Sequence, residues 1–108
     1  MTLELAGYQK SALRAAAHDL DPVVHVGKDG MSDTLLQAAD EALLAHELIK
    51  VRFVDHKSEK KSFAADLAER LDAAVAGTVG HIAILYRPHP EADKRRIHVP
   101  RREGSDPA

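Results

Sequence analysis

The amino-acid sequence predicts an α/β fold: a single two-layer-type domain with element order α-β-α-β-α-β-β and a four-stranded mixed sheet. Three observations carry this. Three segments repeat apolar residues at helical spacing. Short β-branched runs alternate with them, as strand–helix–strand units do; such units favour parallel neighbours joined by right-handed crossovers. The last two runs are separated by little more than Gly80, as in an antiparallel hairpin. A chain of 108 residues fits one domain with a core of its own.

The first helix is predicted over residues 7–20, with Leu13, Ala16, Ala17 and Leu20 on its inner face and Lys10, Arg14 and His18 in a polar stripe. Asp21-Pro22 ends it, because the residue before proline disfavours helical geometry. Val23-Val24-His25-Val26 reads as the first strand. Ser32 is a good N-cap for a second helix over residues 33–46, with Leu36, Ala39 and Leu43 inward. Residues 48–54 alternate, with Ile49, Val51 and Phe53 on one face and Lys50 and Arg52 on the other. A third helix follows over residues 59–73, with Phe63, Leu67 and Leu71 inward. Residues 75–79 and 82–87 form the hairpin. Pro88, His89 and Pro90 stop regular structure, so the domain is expected to span residues 1–88, and residues 89–108 to be a charged, disordered tail.

Composition narrows the function. There is no cysteine, which excludes disulfides and thiolate metal sites. The seven histidines show no helical pair at metal-binding spacing, and no Ser/His/Asp set stands out. No metal, no cofactor and no catalytic residue are therefore expected. No apolar run reaches the ~20 residues of a membrane span, and the N-terminus does not read as a signal peptide, so a cytoplasmic protein without membrane contact is expected. The net charge is -2, but residues 88–108 are net positive and residues 94–102 hold five bases and no acid. Any anion site on the body must be a local patch, because the global field repels phosphate.

Gly27-Lys28-Asp29-Gly30 is the most informative motif. It lies between a strand and a capped helix start. Glycines permit a tight turn and close approach of another backbone. Free amides at a helix start attract anions, and Lys28 adds a mobile charge. KH modules clamp a nucleic-acid backbone with a GXXG loop in the same way. Asp-Gly is also an ordinary turn signal, and the pattern by itself is far more often a plain turn. It does not match a Walker nucleotide-binding loop.

Three blocks then extend the pattern: LAGYQKSALRAAAHDLDPVVHVGKDGMSD, HELIKVRF and VGHIAILYRP. In this order and spacing, over residues 3–88, they resemble the YhbY-like CRM domain (chloroplast RNA splicing and ribosome maturation). The resemblance implies an RNA-binding domain related in fold to the C-terminal domain of bacterial initiation factor three. It implies ribosomal RNA, in precursors of the large ribosomal subunit, as the partner. It maps the family's loop onto Gly27, Lys28, Asp29 and Gly30. His81 stands where the family often has a basic residue after the hairpin glycine, and Asp29 puts an acid in the loop.

Two further groups complete the expected RNA-binding set. Lys50 and Arg52 share the sheet face away from the core; His25 joins them if Val24 and Val26 point inward, and His81 and Arg87 join if Ile82 and Ile84 do. A solvated face, or one covered by the first helix, is the plainer alternative. Lys10 and Arg14 form the second group, placed with the loop by the resemblance. With few aromatic residues and no tryptophan, recognition is expected to rest on RNA shape and phosphate position rather than on base stacking. A monomer is expected. The rival reading is a protein-interaction module that docks on a ribosomal protein or assembly factor, with only the basic tail touching RNA.

Overall fold

The computed structural model describes residues 4–97. Within them the order is α1 (Gly7–Ala17), β1 (Val24–Val26), α2 (Asp33–His46), β2 (Leu48–Phe53), α3 (Lys60–Arg70), β3 (Ala74–Val79) and β4 (Ile82–Tyr86), with single 3-10 turns at Lys57–Glu59 and Ala92–Lys94. The four strands form one mixed sheet in the order β1-β2-β4-β3. β1 runs parallel to β2, while β4 is antiparallel to both β2 and β3. This is the predicted α/β topology.

The main core lies between one sheet face and the α2/α3 layer. Val24, Val26, Ile49, Val51, Phe53, Ala83 and Leu85 meet Leu35, Ala39, Leu43, Ala64, Leu67 and Leu71 there. Ser32 caps α2 as predicted, its Oγ accepting from the Leu35 amide at 3.1 Å. Helix α1 lies on the other face, where Leu13 and Ala17 pack on Leu48, Ala76, Ile84 and Tyr86. The two-layer description thus holds for the sheet and α2/α3, and α1 adds a partial third layer. It ends at Ala17, so Ala16 is exposed and Leu20 is 40% exposed rather than inward.

β4 reverses one expectation. Ile84 pairs with Lys50 across the sheet and faces α1, whereas Ala83 and Leu85 face the main core. A central strand covered on both sides is aliphatic at successive positions, so its sequence carries no alternation from which to read its faces. Arg87 shares the side of Leu85, away from Lys50 and Arg52. Its Nη1 donates to Asp40 Oδ1 at 2.8 Å and to the Leu71 carbonyl at 3.0 Å.

The start of the expected tail is also ordered. The buried Glu47 carboxylate accepts from the backbone amides of His89 (3.0 Å), Arg96 and Ile97 (3.1 Å). Ile97 packs against the α1-side core. Residues 89–97 are therefore a strap folded back on the domain, not the disordered segment that their proline and charge content suggested. Residues 98–108 lie outside the described residues.

Candidate nucleic-acid interface

β1 and β2 end together, and the β3–β4 turn lies at the same end, because Arg52 pairs with Ile82 and Ile82 with Val79. The Gly27–Gly30 loop leaves β1 there. It closes through the Gly30 amide donating to the Gly27 carbonyl at 3.1 Å. Gly30 sits at φ +60°, a left-handed conformation that glycine adopts without a Cβ penalty. Gly27, Lys28 and Asp29 are exposed. Among the described residues, the amides of Lys28, Asp29, Met31, Asp33 and Thr34 have no acceptor. A row of outward N–H groups next to a helix start can take an anion oxygen.

The loop is braced from the segment between β2 and α3. The amides of Val54 and Asp55 both donate to the Val26 carbonyl, at 3.0 and 3.1 Å. His56 Nε2 lies 3.1 Å from the Lys28 carbonyl. A carbonyl only accepts, so this ring nitrogen carries the hydrogen. The His56 ring stacks on Phe63 at 6.1 Å, and Phe63 meets Phe53 edge-on at 5.3 Å. The loop backbone is thereby tied to the main core through two rings. His56 itself takes a left-handed φ of +56°.

Sequence reasoning missed His56 and the lysines beside it. Lys57, Lys60 and Lys61 follow directly, and the Lys60 ammonium binds the Gly80 carbonyl of the hairpin turn. Lys57 and Lys61 are exposed. The signal was the run His56-Lys57-Ser58-Glu59-Lys60-Lys61, but only the fold brings it to the loop's end of the sheet. Asp29, Asp33, Asp55 and Glu59 lie among these bases, so the patch is mixed rather than purely cationic.

The other predicted residues separate. Arg52 is exposed on the α1-side face, next to His25 in register. Lys50 shares that face, but its ammonium donates to the His18 carbonyl at 3.2 Å, at the C-terminus of α1, where a cation complements the unsatisfied carbonyls. Arg14 lies across Gly77, whose missing Cβ would stand 2.6 Å from Arg14 Cδ, and its Nη1 donates to the Ala76 carbonyl at 2.9 Å. Lys10 lies near Ala74 and Val75, at the far end of β3 from Gly80. The expected grouping of Lys10 and Arg14 with the loop does not occur, because α1 starts over β3 and the loop follows β1 at the opposite sheet edge. With Arg87 held by Asp40, only Lys28 and Arg52 of the predicted bases face solvent at the loop end.

At the opposite end, burial pushes the Glu47 carboxyl up, but hydrogen bonds from the amides of Arg96, His89 and Ile97, aided by the charge of His89, outweigh it and hold the group below the usual carboxylate range. Burial and the neighbouring Glu47 raise Tyr86. Among the described residues, no three His, Asp or Glu side chains converge on a point that could hold a metal ion. Among the described residues, no helix is long and apolar enough to cross a membrane.

Comparison with known proteins assigns the class of this domain. The CRS1 / YhbY (CRM) domain model matches residues 5–87, and the chain belongs to that family. It is 38% identical over 99 residues to an RNA-binding protein of Haemophilus influenzae, covering 91% of this chain and 97% of the relative. It is 36% identical over 97 residues to YqeI of Bacillus subtilis, named a probable RNA-binding protein, covering 89% and 99%. The solution structure of the Staphylococcus aureus hypothetical protein SAV1595, described as a candidate RNA-binding protein, superposes with a TM-score of 0.77 at 32% identity, covering 90% of this chain and all of that one.

Proposed function

We propose that this protein binds RNA of the large ribosomal subunit or its precursor during assembly, and that it acts by binding rather than catalysis. The observation that carries the proposal is the exposed Gly27–Gly30 loop, its free amides braced by His56 and flanked by Lys28, Lys57 and Lys61. Such a loop takes a phosphate through backbone N–H groups and adds mobile charge around it. The names of the relatives support RNA as the partner. The family resemblance supports the large subunit.

The test is crosslinking in cells, sequencing of the attached RNA, and sedimentation. Crosslinks on large-subunit precursor RNA and co-sedimentation with free or immature large subunits are expected. An even spread across translating ribosomes, with a normal subunit profile after deletion, contradicts the assembly role. Crosslinks confined to the tail would favour docking on a protein instead.

A further inference from the structure

Helix α1 covers only part of its sheet face. It packs on Leu48, Ala76, Ile84 and Tyr86, and among the described residues nothing covers the loop end of that face. His25, Arg52, Ile82 and Val79 stand there side by side in register, one from each strand. They line a shallow depression of about 560 Å³, joined by Lys57 and by His81 of the hairpin turn. Val79 is 63% exposed, and Val23 and Val54 nearby are half exposed or more. Among the described residues, no acidic residue lines the depression, although the chain as a whole is net negative. Among the described residues, the side chains of His25, Arg52, Lys57 and His81 have no hydrogen-bond or ion-pair partner.

We infer that this strip of sheet receives unpaired nucleotides, with bases stacked on the planes of His25 and Arg52. The inference rests on the RNA-binding reading and extends it from phosphate contacts to base contacts. Histidine rings and arginine guanidinium planes serve as stacking platforms for splayed-out bases, so the scarcity of Phe, Tyr and Trp does not exclude stacking. Val79 and Ile82 give apolar floor between the planar groups, and Lys57 stands at the rim where a phosphate would run. Cross-strand neighbours such as His25 and Arg52 lie about 5 Å apart, close enough for consecutive platforms. A duplex keeps its bases inside and would press charged ridges onto exposed valines. A protein partner would need an acidic surface to match the unpartnered Arg52 and Lys57. An unpaired RNA segment matches both the charge and the flat apolar floor.

The test uses the full chain and two probes: a short oligoadenylate carrying 2-aminopurine, and a blunt RNA duplex of equal length. Arg52→Lys keeps the charge but removes the plane, and Arg-to-Lys exchange is not conservative at a stacked site. His25→Leu removes a plane and keeps apolar bulk. Each variant should weaken oligoadenylate binding by about tenfold, in the range of one base stack. Duplex binding should stay within about twofold, and the 2-aminopurine quench seen with the unaltered protein should diminish. Lys28→Ala is the control for the loop. If it weakens both probes while Arg52→Lys and His25→Leu change neither, the stacking inference fails and the loop reading stands. If only the sheet-face variants act, the loop reading fails and the stacking stands. Equal loss of both probes in Arg52→Lys, a change in self-association without a change in RNA binding, or no RNA binding by the unaltered protein each overturns the stacking inference.

Discussion

At the end of the sheet where β1 and β2 finish, Lys28, Arg52, Lys57 and Lys61 reach solvent without an ion-pair partner among the described residues. At the end where β2 begins, Arg87 is held by Asp40 and the Leu71 carbonyl, and Glu47 is buried beneath three backbone amides. Both ends carry charge, but only one leaves it available. Exposed, unpaired groups cost little in water and add little to stability, while a buried carboxylate must be fully hydrogen-bonded to be tolerated. Substitutions at the two ends should therefore separate: one end changes stability, the other changes binding.

The largest effect is expected at Glu47. This residue takes φ +65° at the end of α2, a conformation that costs a non-glycine residue about 1 kcal/mol or more, so its side-chain bonds must offset that strain as well as its burial. Glu47→Ala keeps the strained backbone and leaves three amides without an acceptor. A loss of about 2–4 kcal/mol is expected, seen as a fall in Tm of roughly 10 °C or more in a thermal melt. Glu47→Gly removes the strain and should recover about 1 kcal/mol of that loss. RNA affinity of the folded fraction should not move; if it falls with stability, the two ends are not independent.

The pH dependence of the same group follows from its lowered pKa. The folded value lies below the unfolded one, near 4.3, so the carboxylate's contribution is present above about pH 4.3 and is lost as pH falls through the folded value. Protection of the Arg96 and Ile97 amides, measured relative to the intrinsic exchange rate at each pH, should fall on acidification over that window, beyond the general loss of stability. In Glu47→Ala the two amides should be poorly protected at every pH, and persistent protection there would show that something else holds the strap.

Lys28→Ala is the matching test at the loop end. One charge-assisted contact is worth about 1.5–3 kcal/mol, so RNA affinity should fall roughly tenfold or more, and the salt dependence by about one phosphate. Tm should be unchanged, because the Lys28 side chain makes no contact that holds the fold; only its backbone carbonyl is bound, by His56. Unchanged affinity and salt slope would reduce the loop to a turn.

What the sequence disclosed follows the same division. Ile49, Val51 and Phe53 alternate visibly because β2 has polar groups opposite them, and Ser32 announced α2 because an N-cap bond is local. The faces of β4 were hidden, since α1 and α2/α3 bury successive residues of it. Arg14, Lys50 and Arg87 read as free bases because their acceptors, the Ala76, His18 and Leu71 carbonyls, are backbone groups brought near only by tertiary packing. Glu47 drew no notice in the sequence, because nothing local marks its partners more than forty residues away. Lys57, Lys60 and Lys61 were visible as charge, but their nearness to the loop belongs to the fold.

Lys50 tests how far one of these bases is structural. Lys50→Ala removes a cation from the C-terminus of α1 and should cost about 0.3–1 kcal/mol of stability with no more than a small change in RNA affinity, measured by denaturant titration and by anisotropy. Arg52→Ala, two residues on and on the same face, should show the reverse. An RNA defect in Lys50→Ala as large as that in Arg52→Ala would mean that the α1 boundary is part of the interface.

The smallest expected effect is at Asp29. Its carboxylate is exposed in the loop and would repel an approaching phosphate. Two unit charges about 7 Å apart in water interact by about 0.6 kcal/mol, and physiological salt screens part of this. Asp29→Asn should thus tighten RNA binding by less than about twofold, with a larger gain at low salt. Asparagine is well tolerated in turns, so the Gly27–Gly30 turn and the Tm should be retained. Asp33→Asn removes an acid only four positions on, but from the first turn of α2, where a negative charge is stabilising by about 0.3–1 kcal/mol. It should bind slightly tighter and melt earlier. A phosphate seated on the loop predicts both gains and only the second loss. If Asp29→Asn changes neither affinity nor its salt dependence while Lys28→Ala does, the phosphate sits against the Lys28 ammonium, away from the loop amides.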